Sequence, residues 1–525
     1  MGQQSQKIFS SSAKMACATF LSRILGLVRE QVMAATFGAS GVTDAFAVAY
    51  RIPNLLRDLF AEGSFSSAFV PIFTEERLKS ERRAKELFWS LFIVLGALTA
   101  LIALGMILGA DPLVRIFTDE KFRADPRRTE ITVQLVQIMA PFLTLVSLAA
   151  LVMGSLNSLK IFFIPALSPA TFNICMILSM VVLVPFFREK GITGIYALGF
   201  GVVAGGCLQL FLQLPFLLKR GYVFKKPREF FSPQVFRIFR RVGIGVIGIA
   251  ATQINVLVIT ILATSTVVGA VSWLNYSFRL FQFPVGLLSV SIAQSNIVHF
   301  SDAWRAGEKD QAKEVLHSSY LLSFFLTLPA MALMLALSEQ TVHLVFERGL
   351  FKAHDTYMTN LALQAYLLGL PAYGLYKILG PTFFSLDKPR IPVFISVGCI
   401  AFNIVFCLLL TPVYGFALLA FGTSLSMLFN AGIQCVFVSR MLNLKFRFFL
   451  NLKILKFFFS ALVCFGVSFF LAEQQYVNAD TLWFRAGTFF LCCAGGLVAY
   501  CVSLILLCEK EYLLHFLPRR IRQKF

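Results

Sequence analysis

A helix that crosses a bilayer needs about 20 consecutive, mostly apolar residues. This chain has runs of that length from one end to the other, near residues 15–37, 43–72, 86–110, 131–157, 161–187, 192–218, 241–264, 267–298, 318–340, 357–383, 390–412, 414–438, 450–472 and 484–508. In lipid every backbone N–H and C=O must be paired within the segment or across a closed barrel, so continuous apolar runs read as helices and the alternation a β-barrel requires is missing. The expected fold class is therefore an all-α polytopic membrane protein with about fourteen transmembrane helices. Composition agrees: 58% of the 525 residues are hydrophobic and 14% charged, against roughly 25% charged in soluble proteins. A soluble enzyme, a secreted disulfide scaffold and a disordered chain are excluded on these grounds. The cysteines lie inside apolar stretches with no CxxC, as packing residues do. The first apolar run is interrupted by Arg23 and Arg29 and offers no small-residue cleavage site, so it reads as a retained span.

The net charge of +20 would suggest nucleic acid in a soluble protein; here it follows the loops. Lys79, Arg82, Arg83 and Lys85, then Lys219, Arg220, Lys225, Lys226, Arg228, Arg237, Arg240 and Arg241, fall on one side of a fourteen-span chain. Arg305, Lys309 and Lys313, Arg440, Lys445 and Arg447, and the tail Arg519, Arg520, Arg522 and Lys524 fall on the same side. The positive-inside rule makes that side cytoplasmic, with both termini. No nucleic-acid partner is expected.

The chain also repeats itself. A shift of 228 residues lays Ala84-Lys85-Glu86 on Ala312-Lys313-Glu314 and Arg51 on Arg279; a shift of 230 lays Phe172-Asn173-Ile174 on Phe402-Asn403-Ile404; a shift of 221 lays Phe200-Gly201 on Phe421-Gly422. Six spans per repeat is an even number, so both copies enter the membrane in the same direction and form two pseudo-symmetric six-helix lobes around a central cavity. The expected division is 1–222 for the first lobe (spans 1–6), 223–441 for the second lobe with its linker (spans 7–12), and 442–525 for two C-terminal helices and a basic tail.

Charges inside the spans are the functional clue, since each costs roughly 2.5–3.5 kcal/mol at mid-bilayer and needs water, a partner or a ligand. The bases are Arg23, Arg29, Arg51, Arg57, Arg279 and Lys377; the acids are Glu30, Asp44, Asp58 and Glu62. Asp44, Arg51, Asp58 and Glu62 share one helical stripe, as do Arg23 and Glu30. Arg29 and Arg57 lie off those stripes and join one cavity only if Gly26 and Pro53 bend their helices or the cavity is wide. Arginine keeps its charge when desolvated and grips phosphate oxygens bidentately. An arginine-rich site within the membrane suits an anion such as a phosphate or pyrophosphate. No P-loop, HExxH or GxSxG is present, and the histidines have no ligand spacing, so no catalytic residue, metal or cofactor is expected. His317 and His343 read as surface residues, and residues 301–317 as a short amphipathic connector helix.

The stretches Ser22-Arg23-Ile24-Leu25-Gly26-Leu27-Val28-Arg29-Glu30, Thr43-Asp44-Ala45-Phe46, Pro53-Asn54-Leu55-Leu56-Arg57 and Phe60 through Pro71 closely resemble the MurJ (MviN) family of lipid II flippases. That family belongs to the multidrug/oligosaccharidyl-lipid/polysaccharide exporter superfamily. The resemblance implies two six-helix lobes and a C-terminal helix pair whose groove takes the polyprenyl tail. It further implies transport of the peptidoglycan precursor lipid II, an undecaprenyl-pyrophosphate-linked disaccharide peptide, across the bacterial inner membrane by alternating access. Arg23, Arg29, Arg57 and Arg279 match the family's cavity arginines, Asp44 and Glu62 its acidic partners. Besides lipid II and membrane lipids, the expected partners are cell-wall synthesis proteins, and the expected state is a monomer. Two positions depart from the pattern: Phe278, not Asp, precedes Arg279, with Gln282 nearby, and spans seven and eleven hold only amides such as Gln253, Asn255 and Asn403, which argues against a carboxylate sodium site. The alternatives are export of another polyprenyl-pyrophosphate-linked saccharide and a non-transporting scaffold for envelope assembly.

Overall fold

The computed structural model describes residues 3–60, 64–444, 448–449, 451–475 and 482–507, and every described regular element is helical. The helices pack into two compact units. The first, residues 1–272 with 348–351, holds α1 (Gln3–Phe37), α2 (Gly41–Phe60), α3 (Ser64–Lys79), α4 (Glu81–Leu108), α5 (Ala110–Phe117), α6 (Glu120–Arg123), α7 (Pro126–Met139), α8 (Phe142–Ser158), α9 (Phe163–Leu178), α10 (Val184–Glu189), α11 (Tyr196–Leu218) and α12 (Pro233–Thr264). The second, residues 273–347 with 352–525, holds all but the first turn of α13 (Ala270–Pro284), then α14 (Val290–Arg305), α15 (Lys309–Ala336), α16 (Ser338–Phe346), α17 (Ala353–Leu367), α18 (Leu370–Ser385), α19 (Arg390–Tyr414), α20 (Ala417–Leu442), α21 (Leu452–Gln475) and α22 (Leu482–Leu506).

Ten of the described helical stretches are long and apolar enough to cross a membrane. The other four expected spans fall on α1, on α2 with α3, on α12, and on α17 with α18. The protein is thus an all-α, multi-pass membrane protein.

The duplication shows in the element boundaries. α4 and α15 start at Glu81 and Lys309, α5 and α16 at Ala110 and Ser338, a constant step of 228 residues. It shows in single contacts as well. The Thr74 and Ser158 hydroxyls meet at 2.8 Å in the first unit, and Ser301 and Ser385, each 227 residues later, meet at 2.6 Å in the second. Gly422 of α20 passes so close to α19 that a Cβ would sit 2.8 Å from Asn403 Oδ1; its repeat mate Gly201 of α11 crowds Ser179 and Met176 in the same way. Each lets two helices approach backbone to side chain.

Aromatic residues fill the first core, where Phe65, Phe69, Phe73 and Phe88 are buried between α3, α4 and α8 with Tyr222 of the linker. In the second unit Phe325 of α15 meets Phe457 of α21 and Tyr500 of α22, and the Tyr500 hydroxyl donates to the Phe325 carbonyl at 2.9 Å. That packing fastens the C-terminal helix pair to α15.

Two expectations are corrected. Residues 301–317 are not a separate amphipathic helix: α14 runs to Arg305, a turn at Gly307 (φ +82°) reverses the chain, and α15 starts at Lys309. His317 and His343, read as surface residues, are half-buried against neighbouring groups. The His317 ring packs 4.6 Å from Phe448, centroid to centroid, and His343 sits between Glu347 and Arg485.

Candidate functional site

The charged positions of the first unit are set by three helices. α1 runs through Gly26 as one continuous helix and packs along α9. Arg29 therefore points toward α9, where its Nη1 donates to Asn173 Oδ1 at 3.1 Å and its Nη2 pairs with Glu30. Asn173 uses its other end as well: Nδ2 donates to the Ser22 carbonyl, two turns earlier on α1, at 3.1 Å. Gly26 faces this amide, and a Cβ there would lie 3.6 Å from Asn173 Nδ2, in ordinary contact. Phe172 supplies a ring 5.8 Å from the Arg29 guanidinium, and Phe46, Tyr50 and Phe142 extend that aromatic wall. The Arg29 and Glu30 side chains retain 14% and 13% exposure, so the ion pair is withdrawn from bulk water and its hydrogen bonds gain strength.

The last turns of α2 build a second site on the same plan. Arg57 pairs with Asp58 at 2.9 Å, and Asp58 also accepts from Gln253 Nε2 of α12 at 3.4 Å. Each arginine thus has an acid next to it in sequence and an amide from a distant helix on the pair.

Asp44 has a different environment from the rest of its helical stripe. It is 2% exposed, accepts from the Gly269 backbone N–H at 2.6 Å, and accepts at a single oxygen from the Ser272 N–H (2.9 Å) and hydroxyl (2.6 Å). Its carboxylate fills the unpaired donors at the start of α13. Arg51 is half-buried and Arg23 exposed; in the second unit Arg279 and Lys377 are exposed. Glu62 lies outside the described residues. Among the described residues no group of three or more His, Cys, Asp or Glu comes together to hold a metal.

Three residues at or near these pairs escape sequence reasoning. In the sequence Asn173 stands out only as a repeat marker, although an amide in an apolar run is itself a signal of a polar contact. Gln253 stands out only for not being acidic. Arg128 resembles a loop charge; it is 8% exposed, with its guanidinium 4.1 Å from the Phe122 ring and hydrogen-bonded to the Phe122 carbonyl at 2.6 Å.

Comparison with known proteins gives this geometry a family. A probable lipid II flippase MurJ from Buchnera aphidicola subsp. Acyrthosiphon pisum is 32% identical over 426 residues, 81% of each chain. A probable lipid II flippase MurJ from Vibrio cholerae is 30% identical over 436 residues, 82% of each. Among solved structures, a lipid II flippase MurJ in an inward closed conformation superposes with a TM-score of 0.79 at 23% identity, covering 95% of this chain and 99% of that one. An inward-facing multidrug resistance MATE transporter of the MOP superfamily gives 0.68 at 12% identity, covering 80% and 94%. The family model described as lipid II flippase MurJ matches residues 33–486, and the chain belongs to that family.

Proposed function

We propose that this protein carries lipid II from the cytoplasmic to the periplasmic face of the bacterial inner membrane by alternating access, and that Arg29 and Arg57 form the core of its diphosphate site. The observation that supports this most directly is the repeated arrangement of arginine, adjacent acid and distant amide. Glu30 and Asp58 keep the two guanidinium groups charge-balanced when no ligand is bound, which limits the cost of holding them in the membrane. A diphosphate offers the same oxygen geometry with more charge, so it exchanges for the acids rather than adding to an unpaired cation. Arg23, Arg51, Arg279 and Lys377 are further cations for the head group. The basic connections support a cytoplasmic location for both termini. One chain supplies both sets of repeated helices, which supports action as a monomer. Translocation requires no covalent step, so no catalytic residue enters the mechanism; cell-wall synthesis proteins are its expected neighbours.

The test is Arg29→Ala and Arg57→Ala in cells that depend on this protein. Loss of growth with lipid II accumulating on the inner face, at unchanged protein abundance, is expected. Normal export by both variants overturns the site; accumulation of a different polyprenyl-linked saccharide in depleted cells overturns the substrate.

A further inference from the structure

The connection between α11 and α12 combines two properties that a simple tether lacks: it is pinned, and it turns basic and aromatic side chains outward. Tyr222 is buried with Phe73 and Phe88, under the Lys85 ammonium 5.7 Å from its ring. Trp89 Nε1 donates to the Val223 carbonyl at 3.1 Å, Ser90 Oγ donates to the Glu229 carbonyl at 2.9 Å, and Ser232 caps α12. These bonds fix the segment across the starts of α4 and α12, where the spans Glu81–Leu108 and Tyr196–Leu218 also have their ends. The connection therefore lies at the depth where hydrocarbon gives way to head groups.

What it shows outward is Lys225, Lys226 and Arg228, all exposed, beside Phe231 at 81% and Phe236 at 73% exposure. Phe224 rests edge-on against Trp89, ring centroids 4.9 Å apart, and is itself exposed. Glu229 is the one acid between Lys219 and Arg241. Exposed rings of this size next to clustered cations match the chemistry of a bilayer interface that carries negative charge. We infer that residues 222–236 form a fixed platform that binds the phosphate head groups of anionic bilayer lipids, its rings entering the interface while Lys225, Lys226 and Arg228 pair with the phosphates.

Trp89 reports on this platform from within it. In full-length protein with Trp273, Trp304 and Trp483 changed to Phe, reconstituted in phosphatidylcholine vesicles, brominated phosphatidylglycerol should quench Trp89 at a lower mole fraction than brominated phosphatidylcholine does. Replacing Lys225, Lys226 and Arg228 with Gln should reduce that preference by up to about a hundredfold. Lys225→Arg with Lys226→Arg should keep it, which separates charge from misfolding. Equal quenching by the two lipids, a preference that survives neutralisation, or one that disappears in the arginine variant overturns the proposal.

Discussion

Asn173 holds Arg29 and Ser22 at once, accepting from the guanidinium and donating to the Ser22 carbonyl, each at 3.1 Å. One amide therefore sets both the aim of the arginine and the position of α1 against α9. Hydrogen bonds to charged groups contribute about 1.5–3 kcal/mol, so Asn173→Ala should weaken lipid II binding by roughly tenfold to a hundredfold. Asn173→Asp should not restore it, because an ionised carboxylate accepts from Arg29 but has no donor for Ser22. Titration of purified variants with lipid II, beside their melting temperatures, separates loss of aim from loss of fold.

Asp44 accepts three hydrogen bonds while almost fully buried. Asp44→Ala leaves two backbone donors and a hydroxyl without their acceptor and should cost roughly 2–4 kcal/mol, whereas Ser272→Ala removes one bond of the three and should cost about 1 kcal/mol. In a double-mutant cycle the two should be non-additive. Thermal unfolding in detergent measures each corner.

Gly349 has φ +61°, and a Cβ on it would fall 2.9 Å from the Ala35 carbonyl carbon, beside the Leu350 N–H that donates to the Ala35 carbonyl at 2.9 Å. Gly307 shares the left-handed backbone (φ +82°) but has no atom within 4 Å of that position. Both substitutions to Ala meet the left-handed penalty of about 1–2 kcal/mol. Gly349→Ala must also move backbone, so its melting temperature should fall further than that of Gly307→Ala.

His343 accepts from Arg485 Nη1 at 3.0 Å and lies 3.6 Å from Glu347, which also accepts from the Thr356 hydroxyl at 2.6 Å. Arginine can only donate, so the facing imidazole nitrogen carries no proton. Burial is the main cause that holds the His343 pKa below its usual value, with the Arg485 charge adding to it and Glu347 and Glu339 opposing. The folded state thus binds the proton less readily than the unfolded state. The stability this contributes is full above the unfolded value, near pH 6.5, and declines as pH falls below it. Unfolding scans between about pH 8 and pH 5 should show that decline, and His343→Gln should flatten it.

Apolar run length and the repeat make the helical architecture legible from sequence, because both are one-dimensional properties. The ion pairs are not legible in their actual form. Helical spacing puts Glu30 on a stripe with Arg23 and Asp58 on one with Asp44; the structure pairs each acid with the arginine beside it in sequence, Arg29 and Arg57. Long guanidinium side chains reach across a stripe once another helix supplies an amide to the pair, Asn173 of α9 to Arg29 and Gln253 of α12 to Asp58, and that helix is distant in sequence. The stripe alone also turns Asp44 toward a cavity, because burial by residues some 225 positions away leaves no local trace.

α12 opens the second copy of the repeat, yet it is packed among α2, α3, α4 and α5. On the ribosome this imposes an order. When Leu218 closes the sixth span, the first unit still lacks a helix that ends at Thr264, and the four residues 348–351 that also belong to it come later still. The nascent first half must wait in the membrane with part of its surface open, and its completion depends on the synthesis of its own duplicate.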